Sequence, residues 1–406
     1  MDFRDSMEDS AFRSEARAWL RQMAAKFDLS AHSGVSEVEE LRLGRAFQSV
    51  KATAGYAKPH WPRKFGGRDA SAVQTVIFAE EEQRFSFPNR FFAVSLGMPI
   101  PIMRRYASAA DQDRFLSPAL RGEEIWCQLF SEPAAGSDLG AVRLRAERKG
   151  EEWILNGQKT WTSWAHIADF GILVARSDPS LPKHAGLTFF YIDMKSPGIS
   201  VKPIHQVSGA REFCEVYFSD VRIPDANRLG EVNGGWRVTL DTLMEERFSV
   251  CDPTFGGPPL TVAMKYLRDD VRCEGSTGLE DSALRERLAE WYCIEQGIRN
   301  IYARTLTALS RGSVPGPEAA LTKLVLASKL QMYGAAIMDA SGPAGVVCGD
   351  GDSYLSVSHF SKAWIDAAGL RIAGGTDEIL RNTIAERVLN LPAEIRPDKN
   401  VAFRDL

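Results

Sequence analysis

The chain has 406 residues, 44% of them hydrophobic and 25% charged, with a formal net charge of -4. Such a chain can fill a large core in two or three domains, and its charge gives no electrostatic case for nucleic acid or an anionic membrane. No apolar run is long enough to span a bilayer, and the six scattered cysteines form no CxxC pair, as in a reduced cytoplasmic protein.

Residues 1–124 read as helical. In "DSMEDSAFRSEARAWLRQMAAKF" Phe12, Ala16, Trp19, Leu20 and Met23 share one face, and "SAVQTVIFAEEEQRF" is a second amphipathic run. The Pro/Gly-rich stretch "GYAKPHWPRKFGGRDAS" between them is a loop. The acidic, polar "MDFRDSMEDS" argues against a secretory signal.

Residues 125–234 switch to period two. Val142, Leu144 and Ala146 alternate with Arg143, Arg145 and Glu147, and Asn156-Gly157 is a tight-hairpin signal. "LTFFYIDM", "ISVKPI" and "CEVYFSDVRIP" continue as strands with no helices between them. That pattern predicts a compact antiparallel β-domain and argues against a doubly wound parallel sheet.

Residues 235–406 return to helical spacing. "GWRVTLDTLMEERFSV", "DSALRERLAEWYCIEQGIRNIYARTLTALSRG" and "PEAALTKLVLASKLQMYGAAIMDASG" are long helices, with breaks at 275–280 and 312–317. Helices with this much apolar girth predict a bundle core or a subunit interface. In "RIAGGTDEILRNTIAERVLNLP", Thr376 caps a helix entered through Gly374 and Gly375. Ile379, Ile384, Val388 and Leu391 form its apolar stripe.

Two β-region stretches carry candidate chemistry. "CQLFSEPAAGSDLG", residues 127–140, offers hydroxyls and free backbone N–H groups to a polar or anionic ligand, or else is a simple surface turn. In "NGQKTWTSWAH" aromatic residues interleave with hydroxyls, which suits a flat heteroaromatic ligand as well as it suits a core strand. No GxGxxG turn links a strand to a helix, so a nicotinamide cofactor is not expected. The isolated histidines predict no metal site.

With "SEPAAGSD", "NGQKTWTSWAHIADFGILVAR" and "GGTDEILRNTIAERVL" in this order, nearly the whole chain resembles the acyl-CoA dehydrogenase family. The resemblance implies an N-terminal helical domain, a β-barrel-like middle domain and a C-terminal four-helix bundle. It also implies noncovalent FAD and oxidation of acyl-CoA thioesters to trans-2-enoyl-CoA. It places Phe130 and Ser131 near the flavin, Trp161 beside its ring and Ser163 in a hydrogen bond to it. Gly136 and Ser137 would meet the pantetheine or pyrophosphate region, and Gly375 and Thr376 the FAD phosphates. Gly342 and Gly345, in "ASGPAG", would complete a neighbouring subunit's adenosine site.

Many members carry a catalytic Glu directly before the Gly-Thr pair, where this chain has Gly374. A branch resembling isovaleryl-CoA dehydrogenase uses a Glu just before an Arg on another helix, and Glu246 and Arg247 match that place. Arg247 and Gly374 would then border the substrate. Glu246 lies on the side of Leu243 and Val250, whereas Glu245 is expected on the polar face; the alternative for Glu246 is an ordinary Glu–Arg pair. The family's "R-x-x-F-G" arginine is absent, and Arg272 is its nearest substitute. The resemblance further implies electron-transferring flavoprotein as oxidant and a homo-oligomer (dimer or tetramer). Some members of a bacterial subgroup active in steroid catabolism are instead heteromers with a related, non-catalytic subunit. An oxidase, a monooxygenase or an enzyme acting on carrier-protein thioesters remain alternatives.

Overall fold

The computed structural model describes residues 5–31, 34–250, 258–273, 276–310, 320–346 and 355–406. It divides into two compact units. One holds residues 1–206, 210–246 and 394–406; the other holds 207–209 and 247–393.

The first unit begins with helices. α1 (Met7–Phe27) is capped by the Ser6 hydroxyl, which accepts from the Asp9 N–H, and buries Phe12, Ala16, Leu20 and Met23. The spacing of four, four and three is the stripe read from the sequence. α2 (Glu37–Thr53), α3 (Ala72–Glu82), α4 (Ala93–Gly97), α5 (Pro99–Tyr106) and α6 (Ala109–Leu120) follow. Of these only α3 is marked by its own periodicity, and Ser71 and Gln74 close its capping box. Glu81, fully buried on α3, takes Arg17 at 2.7 and 2.8 Å and Arg13 at 3.1 Å, which ties α3 to α1.

The strands are β1 (Trp126–Leu129), β2 (Arg145–Lys149), β3 (Glu152–Ser163), β4 (Phe170–Arg176), β5 (Leu187–Asp193), β6 (Ile199–Pro203) and β7 (Phe213–Pro224). They form one sheet in the order β1-β4-β2-β3-β7-β6, with β5 also on β4. The sheet is mixed rather than purely antiparallel, because β1 enters alongside β4 in parallel from Trp126/Phe170 to Leu129/Leu173. The predicted alternation is correct: Val142, Leu144 and Ala146 are buried, while Arg143, Arg145 and Glu147 are exposed.

The Asn156-Gly157 hairpin is a misreading. The β2–β3 turn falls at Gly150 (φ 65°), and Asn156-Gly157 lies inside β3 at a bulge opposite β7. Gly157 is needed for space: with φ at 147°, a Cβ there would sit 2.8 Å from Leu144 Cα. After the sheet comes α7 (Gly235–Val250). Residues 394–406 return to this unit, where Phe403 lies under the Arg176 guanidinium at 3.8 Å.

The second unit is helical: α8 (Leu260–Asp269), α9 (Ser282–Ser310), α10 (Ala320–Ala340), α11 (Leu355–Leu370) and α12 (Asp377–Arg387), with a small ribbon of β8 (Arg272–Cys273) and β9 (Ser276–Thr277). α10 buries residues around most of its girth, from Leu326 and Leu330 to Tyr333 and Ile337, as its composition requires. Gly334 lets α11 approach, since a Cβ there would meet Phe360 O at 2.7 Å. The predicted stripe of α12 is not core. Ile379, Val388 and Leu391 are exposed and Ile384 only half-buried, while Leu380 turns inward. The predicted break at 312–317 lies outside the described residues.

Candidate functional site

The "SEPAAGSD" and "KTWTSW" stretches meet through buried hydrogen bonds. The Thr160 N–H donates to Ser131 O at 2.9 Å. The fully buried Lys159 Nζ donates to Phe130 O and to Glu132 Oε1, both at 2.8 Å. The Glu132 carboxylate also accepts the Arg143 N–H at 2.6 Å and the Leu144 N–H at 2.9 Å. Burial pushes the Lys159 pKa down, and the Glu132 charge opposes that shift. Glu132 and Ala135 exchange backbone hydrogen bonds at 3.0 Å, so the loop turns tightly and presents Gly136 and Ser137 to solvent. A Cβ at Gly136 would meet nothing within 4 Å, which leaves that backbone open.

Trp161 sits where the β3–β7 register shifts, between Lys159 and Thr162, and its φ is +58°. That left-handed backbone costs a bulky residue energy and re-aims its side chain. The indole is 59% exposed, with the Phe213 ring edge-on at 6.1 Å. Its neighbour Thr162 holds a buried hydroxyl without a hydrogen-bond partner, and Ser163 and Ser131 are half-buried. Phe130 packs edge-on to Phe189 at 5.7 Å. An open indole face, an unsatisfied hydroxyl and an open glycine backbone fit a planar polar ring system such as a flavin. No cluster able to hold a metal occurs among the described residues.

In the second unit the Gly374–Thr376 turn is held from several sides. Gly374 and Gly375 have φ of +64° and +92°, which favours glycine at both. Lys323 Nζ donates to Gly375 O at 2.7 Å, and Arg371 Nε donates to Asp377 Oδ2 at 2.7 Å. The Thr376 hydroxyl caps α12 by accepting from the Ile379 N–H at 3.3 Å, as predicted. Gly342 has φ +56°, and a Cβ on Gly345 would fall 2.2 Å from Met338 O. A cavity of about 370 Å³ in this unit is lined by Thr277, Glu280, Asp281 and Ala340 among others. The side chains of Glu246, Arg247 and Arg272 lie outside the described residues; their backbones belong to α7 and β8.

Glu245 does not lie on a polar outer face. It is half-buried, and desolvation raises its carboxyl pKa against the pull of Lys58, Arg105 and Arg104. The reason is tertiary: the loop after α2 and the end of α5 cover that side of α7. Sequence reasoning also missed Lys159 with Glu132 and Lys323 with the glycine turn. Neither pair has a local spacing signal, since the partners are 27 and 52 residues apart.

The chain matches three family models: "Acyl-CoA dehydrogenase, N-terminal domain" over residues 6–123, "middle domain" over 127–221 and "C-terminal domain" over 233–389. It is 35% identical to acyl-CoA dehydrogenase IpdE1 of Mycolicibacterium smegmatis, covering 96% of this chain and 100% of that one. It is also 35% identical to acyl-CoA dehydrogenase FadE34 of Mycobacterium tuberculosis, over 85% of this chain but only 46% of that longer protein. Among solved structures, the ChsE4-ChsE5 complex from Mycobacterium tuberculosis matches with a TM-score of 0.83 at 25% identity, covering 97% of this chain and 100% of that one. The "Tcur3481-Tcur3483 steroid ACAD" matches with a TM-score of 0.82, also at 25% identity and with the same coverage.

Proposed function

The chain belongs to the acyl-CoA dehydrogenase family, flavin-dependent oxidoreductases acting on CH–CH bonds, and from that premise we propose that it converts an acyl-CoA thioester to the trans-2-enoyl-CoA with Glu246 as the base. The observation that carries this reading is Gly374. The residue before the Gly-Thr pair has φ +64° and no side chain, so the α-proton must go to another group, and α7 supplies Glu246. Phe130, Ser131, Trp161 and Ser163 would hold the flavin ring. Gly136, Ser137, Gly375 and Thr376 would serve its phosphates or the pantetheine, and Gly342, Gly345 and Arg272 a neighbouring subunit's cofactor. Bound FAD supplies the hydride acceptor.

The chain's own part is binding, orientation and proton transfer. A backbone N–H near Gly374 donates to the thioester carbonyl and stabilises negative charge as it develops. Glu246, beside Arg247, takes the α-proton. Within the first unit Lys159 holds the Phe130 carbonyl, and within the second Lys323 holds the Gly375 carbonyl. The proposed setting is cytoplasmic, with electron-transferring flavoprotein as electron acceptor.

The relatives favour a steroid-derived or otherwise bulky acyl group, since one solved relative is a steroid ACAD. A second reading is a subunit of a heteromer that completes a partner's FAD site, because two solved relatives are complexes of paired chains. The exposed Ile379, Val388, Leu389 and Leu391 suit an interface in either a homo- or a hetero-oligomer. The test is anaerobic flavin bleaching with straight, branched and steroid-side-chain acyl-CoAs, on the chain purified alone and with a co-expressed relative. Glu246→Gln keeps size and loses basicity, so bleaching should slow roughly a hundredfold or more. A variant that bleaches as fast as the parent removes Glu246 from the mechanism.

A further inference from the structure

The face of α7 that carries Arg237, Asp241 and Glu245, at spacings of four, is covered by two other segments of the first unit. One is the end of α5, with Arg104, Arg105 and Tyr106. The other is the loop after α2, with Lys58 and His60. Asp241 has its partners on one oxygen: Oδ2 accepts from the Tyr106 hydroxyl and pairs with Arg105 at 3.3 Å and with Arg237 at 3.5 Å.

One turn further along, the pattern changes. Lys58, Arg104 and Glu245 are all half-buried, yet none of their charged side-chain ends makes a hydrogen bond or an ion pair within 4 Å to any described residue. Arg104 is held instead by aromatic faces, 4.8 Å from the Trp61 ring and 5.9 Å from Phe65. Lys58 and Glu245 sense each other's charge, and burial brings the Lys58 pKa down to about 8.

The loop that presents Lys58 is rigid. Lys58 O accepts the Trp61 N–H at 3.0 Å, and Pro59 O accepts the N–H groups of Arg68 and Ala70, both at 3.0 Å. Gly67 is packed so closely that a Cβ would lie 2.0 Å from Trp61 O. Half-buried charges on fixed supports, left without partners, cost free energy unless something else satisfies them. The charged ends remain open to solvent, and the two cations outnumber the one carboxyl, so the cluster suits a ligand that brings an acceptor oxygen. Glu245 also precedes Glu246 on α7, which puts the cluster within side-chain reach of the segment that carries the proposed base.

We propose that Lys58 and Arg104 form a recognition site for an acyl group carrying a carboxylate or carbonyl oxygen beyond the reacting carbons, so that the chain selects oxygenated over plain hydrocarbon acyl-CoAs. The inference rests on the dehydrogenase reading above and specifies its substrate class. Nothing covalent happens at the cluster. It orients the far end of the acyl group while chemistry proceeds at the α- and β-carbons.

The experiment compares matched thioesters of six, eight and ten carbons: the saturated acyl-CoA, its ω-carboxy counterpart and its keto counterpart. The holoprotein is read by anaerobic flavin bleaching and, independently, by the thioester-induced shift in thermal unfolding. One oxygenated series should be preferred by about tenfold or more at its best length, the scale of a hydrogen bond to a charged group. The preferred series tells a carboxylate from a carbonyl. Lys58→Met should bring the preference near unity, Lys58→Arg should keep part of it, and Arg104→Gln should reduce it. No preference in the parent at any length, or an unchanged preference in Lys58→Met and Arg104→Gln, overturns the proposal. So does an equal loss for both members of a pair, which would assign Lys58 to the CoA moiety. A chain whose unfolding shifts show the Lys58-dependent preference but whose flavin bleaches with no thioester keeps this site and sinks the dehydrogenase reading.

Discussion

Replacing Lys159 by Met keeps an unbranched side chain, one heavy atom shorter, and removes its charge. Lys159 is fully buried and bridges Phe130 O and Glu132 Oε1 at 2.8 Å each. Its loss strands the Glu132 carboxylate, 7% exposed, with only the N–H groups of Arg143 and Leu144. Breaking one side of a buried pair costs about 3–5 kcal/mol. The two remaining donors place the expected loss at the lower end, about 3 kcal/mol. For a unit of this size that corresponds to a fall of roughly 6–12 °C in the unfolding midpoint. Thermal unfolding followed by tryptophan fluorescence measures it. Glu132→Gln and the double variant complete a cycle, and the double variant should lose clearly less than the sum of the singles. A drop of less than about 1 kcal/mol in Lys159→Met, or strict additivity in the cycle, would refute the view that this pair pins the loop.

Trp161→Ala removes an exposed indole, so it should leave the unfolding midpoint nearly unchanged while weakening FAD retention or shifting the flavin's visible spectrum; an unaltered spectrum and affinity would remove Trp161 from the ring site. Gly157→Ala forces a Cβ to within 2.8 Å of Leu144 Cα at φ +147° and should cost about 2 kcal/mol or more in chemical denaturation; a neutral result would mean β2 gives way easily. Hydrogen bonds from Arg17, then Arg13, hold the Glu81 carboxyl at about 2, below its ordinary 4.5. A depressed acid lends stability that is full above pH 4.5 and is lost as pH falls toward 2, so the parent's unfolding midpoint should drop across that window. Glu81→Gln should flatten that part of the profile, and an unchanged slope would show that other carboxylates govern acid unfolding.

The parts of the fold that could be read from the sequence were those with one buried face. Phe12, Ala16, Leu20 and Met23 announce α1, and Val142, Leu144 and Ala146 announce a half-buried strand, because burial imposes a period that the chain carries openly. Asn156-Gly157 misled because glycine has two uses. The turn chemistry suggested a reversal, whereas the protein needed Gly157 for the approach of Leu144 and turned at Gly150 instead. The parallel entry of β1 beside β4 leaves no local trace, since strand direction is set by the path of the chain between them. In the first unit the strand that carries Trp161, and in the second the capped helix entered through the Gly374–Thr376 turn, were legible from local motifs. Glu245 was not. Its helical position points to solvent only until a loop from far upstream closes over it with Lys58.

Residues 394–406 end the chain in the unit that residues 1–206 began. Lys183 bridges Asp138, in the "SEPAAGSD" loop, to Asp398 at 2.8 and 2.9 Å, and the Phe403 N–H reaches Leu181 O at 2.9 Å. During synthesis the sheet and its surrounding helices emerge long before this last segment. The second unit must therefore be made, and have room to fold, while the first still lacks a piece of its wall. A ribosome-stalled chain truncated near residue 390 would leave the Arg176 guanidinium without the Phe403 ring and Lys183 without Asp398. The order of translation thus delays completion of this wall of the first unit until residues 394–406 are made, after the whole of the second unit.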